Sequence, residues 1–560
     1  MFNISMLVSL GSTVLALLLV LLLLFNIKSK PDGSKKMIDA AKETRKEGMT
    51  LLRKNYSSVS IVGSILFVIL LYLFSWNIAL GFLAGLIVSV LSGYLGEKVS
   101  AISNLRIAEA AKTGSGDAFG LAIKSGLATN LFATSIALIS VAGIYFITKD
   151  FTILLTLAFG LAVAPGVIPA RSASSGQAPA GIQDSKRSSS YTTATFAIAI
   201  IAAMALSRMV FPKFDNASLF PLFIGGASIV ILILASSLIL LLRKSSKIIR
   251  TLNIGIGLVA TLSLVASFFL INWLLKDNGQ YSFVKLFFSS AIGVVILCLT
   301  WFTSRIFPSY QGAIKAVRIA AGLLAAFALA GYFGVTLLVV GMLPLLGLMA
   351  VIEIFYNAGA VAHDIAVAGE MDLEAQTRLS TLEEDGSVLE VAILQNMSVL
   401  ATFTSVVLFL LYAEKIGVSK PVVFNLADPY ILSGLIFGGV VMYFVSILVS
   451  NWTKEKSQIN VKNLVFPVST CLVAASAVGF LLGSASLGAF IIGAILSGLF
   501  TTTNLLAGSL NKTIVLASVL ILPVVIAVNL NLQSKIILFA VLILLAIALK
   551  LSDRQFTKKS

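Results

Sequence analysis

Residues Ala79 to Gly114 read ALGFLAGLIVSVLSGYLGEKVSAISNLRIAEAAKTG. The first half carries no charge, and an apolar run of roughly 20 residues is what a helix needs to cross a hydrocarbon core about 30 Å thick. The second half brings in Glu97, Lys98, Arg106, Glu109 and Lys112 without losing the helical period, until the glycine at 114 stops it. This predicts a membrane span over 79–106 whose helix projects past the bilayer, followed by a turn and a second span over 118–147. The Gly-Ser-Gly of that turn is no phosphate loop, since no lysine and hydroxyl residue follow at the required spacing and no strand precedes it.

Outward from this stretch, similar runs recur from 4–27 to 534–551, among them 57–76, 151–171, 191–211, 312–333, 335–366, 388–413, 429–451 and 512–530. They come to about 17, and helices rather than an open sheet satisfy a backbone placed in lipid. The 560 residues are 58% hydrophobic and 11% charged, too apolar for a soluble core of that size. The expectation is an all-α integral membrane protein, a bundle of about 16–17 transmembrane helices forming one polytopic domain over 1–560, with the lipid bilayer as its surroundings. The first run, long and with no basic residue ahead of it, reads as a retained helix rather than a signal peptide.

The net charge of +16 could suggest nucleic acid, but its distribution argues for a membrane. KSKPDGSKK (28–36), the basic residues of 171–187, RKSSK (243–247), SRIFPSYQGAIKAVR (304–318), KEKSQINVK (454–462) and DRQFTKKS (553–560) recur in alternate loops. They all fall on the cytoplasmic side of a multi-pass cell-membrane protein if the N-terminus is outside and the C-terminus inside. Cys298 and Cys471 lie within apolar runs and read as small core residues rather than a disulfide or metal pair. No zinc spacing, nucleotide fingerprint or nucleophile with histidine and acid is present.

Three loops stand out. In the first, 28–56, Met37, Ala41, Thr44, Gly48 and Leu51 or Leu52 recur at helical spacing with charges on the other face, predicting an amphipathic cytoplasmic helix. The second, 172–190, is soft and serine-rich, with Asp184 as its acid. The third, 367–387, is acidic.

GSKKMIDAAKETRKEGMTLLRKNY (33–56) and LSGYLGEKVSAISNLRIAEAAKTG (91–114) resemble the first cytoplasmic loop and third helix of the membrane-integral pyrophosphatases. LAGYFGVTLLVVGMLPLLGLMAVIEIFYNAGAVAHDIAVAGEM (329–371) resembles that family's late helix, and GSLNKTIVLASVL (508–520) is weakly similar to its closing segment. The resemblance implies a homodimeric bundle that hydrolyses pyrophosphate at the cytoplasmic face and couples this to moving protons or sodium. It also implies magnesium held by many carboxylates. Asn104, Arg106 and Arg171 are weak matches to family residues.

The chain departs from that pattern where it matters chemically. After FGLAVAPGVIPAR, where the family carries most of its catalytic aspartates, this chain has the shortened loop with Asp184. No carboxylate lies between Glu455 and Asp553, where the family has a further acidic cluster. The expectation is a divergent member without pyrophosphate hydrolysis of its own, serving as an ion pathway, a transporter, or a partner in a homodimer or a heterodimer with an active relative. Magnesium would be needed only if the protein were hydrolytic. The alternatives are an active ion-pumping pyrophosphatase with a rebuilt site, and an unrelated secondary transporter, although no internal hydropathy repeat supports the last.

Nine of the 24 acids fall between Glu353 and Glu390. Glu353 and Asp364 are 11 residues apart, which brings them to one helix face with Asn357 between. A carboxylate facing a bundle interior is costly, so Glu353, Asn357 and Asp364 are the candidate ion or coupling site. Glu353 also matches the family's aspartate, and Asn357 could equally be its structural hydrogen-bond partner. His363, the only histidine, reads as a structural or surface residue, and EEDG (383–386) as a solvated helix entry. Asn130, Asn253, Asn396 and Asn504 could line an ion path or join helices by hydrogen bonds.

Overall fold

Apolar runs broken by short polar or glycine-bearing links produce one helix after another. The computed structural model describes residues 2–73, 75–167, 181–210, 219–242, 248–275, 283–306, 335–383, 428–441, 473–483, 486–487 and 489–490. In chain order the first compact unit holds α1 (Phe2–Lys28), α2 (Lys35–Leu73), α3 (Trp76–Ala110), α4 (Ser115–Thr148), α5 (Phe151–Val167) and α6 (Gly181–Val210). It continues with α7 (Phe220–Leu241), α8 (Ile248–Leu275), α9 (Phe283–Ile306), α10 (Val335–Ala368) and α11 (Leu373–Glu383). A second unit, drawn from Tyr310–Tyr332 and Ser398–Ser560, contributes α12 (Pro429–Val441) and α13 (Val473–Leu482). No β-strand occurs among the described residues. Six helices, within α1, α3, α4, α7, α8 and α10, are long and apolar enough to cross a bilayer, and the protein is an all-α, multi-pass integral membrane protein.

Several boundaries differ from those the sequence predicts. The amphipathic segment and the 57–76 span are one 39-residue helix, α2, because nothing stronger than Gly48 and Gly63 interrupts it. Ser34 opens that helix, its hydroxyl oxygen accepting the Met37 backbone N–H at 3.4 Å. Helix α6 begins at Gly181, ten residues ahead of the expected span, so the second half of the serine-rich loop is helical. Helix α10 ends at a turn through Gly369 and Glu370, and the acidic loop after it contains α11. The expected spans 312–333, 388–413, 512–530 and 534–551 lie outside the described residues.

Helix α10 is the core of the first unit, with every residue from Gly341 to Gly359 buried. Helix α1 instead presents Leu18, Leu21, Leu22 and Phe25 outward, as a lipid-facing helix does. Between helices in lipid the packing force is close contact, which small residues allow. Gly81 and Gly85 lie one turn apart on α3, and a Cβ on Gly85 would stand 2.1 Å from the Leu157 carbonyl oxygen of α5. Reciprocally, a Cβ on Gly160 would stand 2.0 Å from the Phe82 oxygen. The second unit repeats the device: a Cβ on Gly434 or Gly438 of α12 would meet the Ser486 or Phe490 carbonyl oxygen at 2.2 or 1.9 Å.

Gly85→Ala and Gly160→Ala are expected to force α3 and α5 apart at a cost of about 1–3 kcal/mol each, read as a lowered melting temperature in detergent. Gly143→Ala, with nothing within 4 Å of its Cβ position, should melt like the parent.

Candidate ion-coupling site

Glu353 and Asn357 stand one turn apart on α10 and are buried, at 3% and 7% exposure. Helix α4 holds this part of α10 in place. A Cβ on Gly126 would lie 2.5 Å from the Val351 carbonyl oxygen, so the two backbones touch where only glycine fits. One turn on, the Asn130 amide donates to the Gly347 carbonyl oxygen. On the other side, Phe119 meets the Phe355 ring edge to face at 5.1 Å. The helices are therefore antiparallel with a fixed register, and Asn130 is used as helix glue. Asn357 Nδ2 has no hydrogen-bond partner among the described residues.

Asp364 shares the helix face of Glu353 but not its site. Eleven residues place it about 16 Å further along the axis, half-buried near the end of α10. His363 beside it is also half-buried. Asn104 is buried on α3 and donates to the Ser100 hydroxyl oxygen at 3.2 Å. Arg106 takes a different part. Its guanidinium donates to the carbonyl oxygens of Ile102 at 2.7 Å and Lys30 at 3.2 Å and pairs with Asp32, tying the end of α3 to the α1–α2 connector.

That connector is locked from other sides too. Met37 is fully buried, and a Cβ on Gly369 would stand 2.5 Å from its Cγ. Lys36 pairs with Glu370 in the same turn. Arg378 of α11 donates to the carbonyl oxygens just past the end of α3, Ala111 at 2.8 Å and Lys112 at 3.0 Å. The hydrogen bond from Lys36, and then its charge, hold the Glu370 carboxyl below the usual carboxylate range. A carboxyl lowered on folding stabilises above its unfolded value and loses this as pH falls through the folded one. Glu370 is fully exposed, so the contribution is small.

Arg171, Asn396, Asn504, Cys471, Glu384, Asp385 and Glu390 lie outside the described residues. Cys298 is a half-buried free thiol, and Asn253 accepts a hydrogen bond from the Trp301 indole at 2.7 Å. Sequence reasoning passed over Glu97, a second buried carboxyl in the bundle at 4% exposure. Its signal was present: Glu97, Ser100 and Asn104 fall three and four residues apart, a polar stripe on a helix otherwise apolar. Among the described residues no three Asp, Glu, His or Cys side chains converge as a metal site would require.

Residues 14–168 match the family model described as inorganic H+ pyrophosphatase. Over 498 residues, 75% of this chain and 72% of the relative, the chain is 26% identical to a K(+)-insensitive pyrophosphate-energized proton pump of Methanosarcina mazei. A shorter match of 134 residues, 24% of this chain and 20% of the relative, is 30% identical to K(+)-insensitive pyrophosphate-energized proton pump 2 of Moorella thermoacetica. Another of 120 residues, 21% of this chain and 16% of the relative, is 27% identical to a K(+)-stimulated pyrophosphate-energized sodium pump of Thermotoga maritima. Relatedness over three quarters of the chain overturns the alternative of an unrelated secondary transporter.

Arg106→Ala removes three partners of a nearly buried guanidinium and is expected to cost about 2–4 kcal/mol, measured by thermal unfolding. Glu370→Gln, at an exposed pair, should leave the melting temperature unchanged.

Proposed function

We propose, given that the chain belongs to the membrane-bound pyrophosphatase family, that it serves as an ion pathway on that family's scaffold without hydrolysing pyrophosphate itself. The observation that carries this reading is where the carboxylates are. Binding pyrophosphate with magnesium takes several hard oxygen ligands from more than one wall of a site. Here the segment from Ile168 to Gln183 contains no acid, and neither does the segment between Glu455 and Asp553. Among the described residues Glu97 and Glu353 are the buried carboxyls, and no third joins them as a metal ligand. The described residues do not fit a magnesium cluster.

On this reading Glu353, Asn357 and Asp364 serve ion passage or coupling rather than catalysis. Asn104 acts within the bundle, Arg106 positions the connector, and Arg171 is a remnant of the family pattern. The protein works in the cell membrane with its N-terminus outside and its C-terminus in the cytoplasm. It pairs with a second copy or with an active relative. A second reading, an active proton or sodium pump with a rebuilt site, is favoured by one observation: similarity to the Methanosarcina mazei pump extends over 72% of that protein.

Magnesium-dependent phosphate release from pyrophosphate, measured on purified protein in liposomes beside an active family member, separates the two. We expect no release by this protein while the active relative works in the same membranes. Release that Glu353→Ala abolishes would establish the rebuilt site instead. For topology, a tag after Ser560 should be reached by an impermeant label only after the membrane is opened.

A further inference from the structure

On α3, Ser89, Ser92, Glu97, Ser100 and Asn104 make a stripe of polar side chains, none more than 6% exposed. Its two ends differ. Toward the start of α3 the Ser92 hydroxyl is closed across α6, while Ser89 Oγ has no hydrogen-bond partner among the described residues. Ser92 Oγ lies 3.0 Å from Ser189 Oγ and also bonds Thr193, while Ser189 and Ser190 donate to the Ser92 and Ser89 carbonyl oxygens at 3.0 Å. This is a dry seam.

Toward the α3–α4 turn the hydroxyls and amides are not closed. Asn104 Oδ1, Ser125 Oγ and Thr129 Oγ1 of α4, and Asn357 Nδ2 of α10 have no hydrogen-bond partner among the described residues. Their side chains are 4%, 0%, 3% and 7% exposed. Leaving such groups unsolvated is costly, so four together point to something bound among them.

The register places them together. A Cβ on Gly96 would lie 2.7 Å from Ser189 Cβ and 3.4 Å from Thr129 Cγ2, so residue 96 of α3 sits opposite 129 of α4. The antiparallel run then sets Ser100 level with Ser125. Through the contacts of Gly126 with Val351 and Asn130 with Gly347, Ser125 is level with Glu353, and Asn104 with Asn357. Glu97 and Thr129 follow one turn deeper. Seven residues from Asn104 to Glu97 span about 10 Å.

The set mixes a donor, an acceptor and hydroxyls that can be either. A bare cation would be opposed by the Asn357 amide hydrogens, whereas water can satisfy all of them. Among the described residues the charged groups near this stretch include Arg106, which donates to the Ile102 carbonyl oxygen at 2.7 Å. Glu353 comes from α10, Lys98 lies over the Tyr94 ring at 4.7 Å, and Lys124 of α4 donates to Asn26 at 2.7 Å. Helix α5 carries no charge.

We propose that α3, α4 and α10 enclose a hydrated chamber, from Asn104 and Asn357 to Glu97 and Thr129, that admits a small monovalent cation toward Glu97 and is closed by the serine seam. It rests on the ion-pathway reading above. Its test contains no pyrophosphate, so either can fail alone.

In full-length protein with Cys298→Ser and Cys471→Ser, single cysteines are placed by Ser125→Cys, Thr129→Cys and Asn104→Cys. Ala137→Cys, at a fully buried position further along α4, is the dry control. Silver ion is the probe, and its reaction is read as protection from alkylation after denaturation. The chamber thiols should react at least about tenfold faster than the control, and Glu97→Gln should slow them about tenfold by removing the attracting charge. Any folded chamber variant suffices for the comparison. Chamber thiols no faster than Ala137→Cys would overturn the chamber, and fast thiols unaffected by Glu97→Gln would overturn the part given to Glu97.

Discussion

The closeness of α4 to α10 at Gly126 is the contact on which the first unit depends. Lipid offers helices no hydrogen bonds and little hydrophobic reason to associate, so association rests on backbones near enough for dense packing. With Val351 O 2.5 Å from where a Cβ would be, position 126 tolerates no side chain. That contact sets the register which Asn130 and Phe119 then reinforce. It also decides which polar groups of α4 stand level with Glu353, so packing and site are the same feature viewed from two sides.

Much of this was legible in the sequence because its signals are local. Apolar length marks a span, and among the described residues the helices appear where the runs do. The burial of Glu353 and Asn357 followed from their spacing on an apolar helix. The continuity of α2 was harder to read, since the change from amphipathic to apolar looks like a boundary while the backbone has no reason to stop. The early start of α6 was hidden by serines, which suggest a loop although nothing in them forbids a helix. Glu97 was masked differently: with Lys98 beside it, it reads as part of a solvated helix end, and only packing puts it inside. Arg106, a weak family match by sequence, could not have been placed as a clasp without its partners, 74 and 76 residues earlier in the chain.

The relatives are named as pumps, and this chain is similar in sequence to one of them over 75% of its length. Among the described residues the buried carboxyls are Glu97 and Glu353. Two buried carboxyls on facing helices, surrounded by hydroxyls and amides, make a poor cage for a divalent ion and a tolerable environment for a hydrated monovalent one. Buried acids of this kind persist in bundles at a cost, which is why they are read first for function and only then for architecture.

The seat of Met37 on Gly369 carries a mechanical consequence. Helix α2 is an unbroken rod of 39 residues, about 58 Å long, and its first turn is pinned to the turn that ends α10. Arg106 pins the same connector to α3. A displacement of α10 along its own axis therefore acts on the near end of a lever whose far end is about 58 Å away. The fold thus links its most buried helix to one of its outer ones through Met37, the glycine that makes room for it and the Lys36–Glu370 pair beside them.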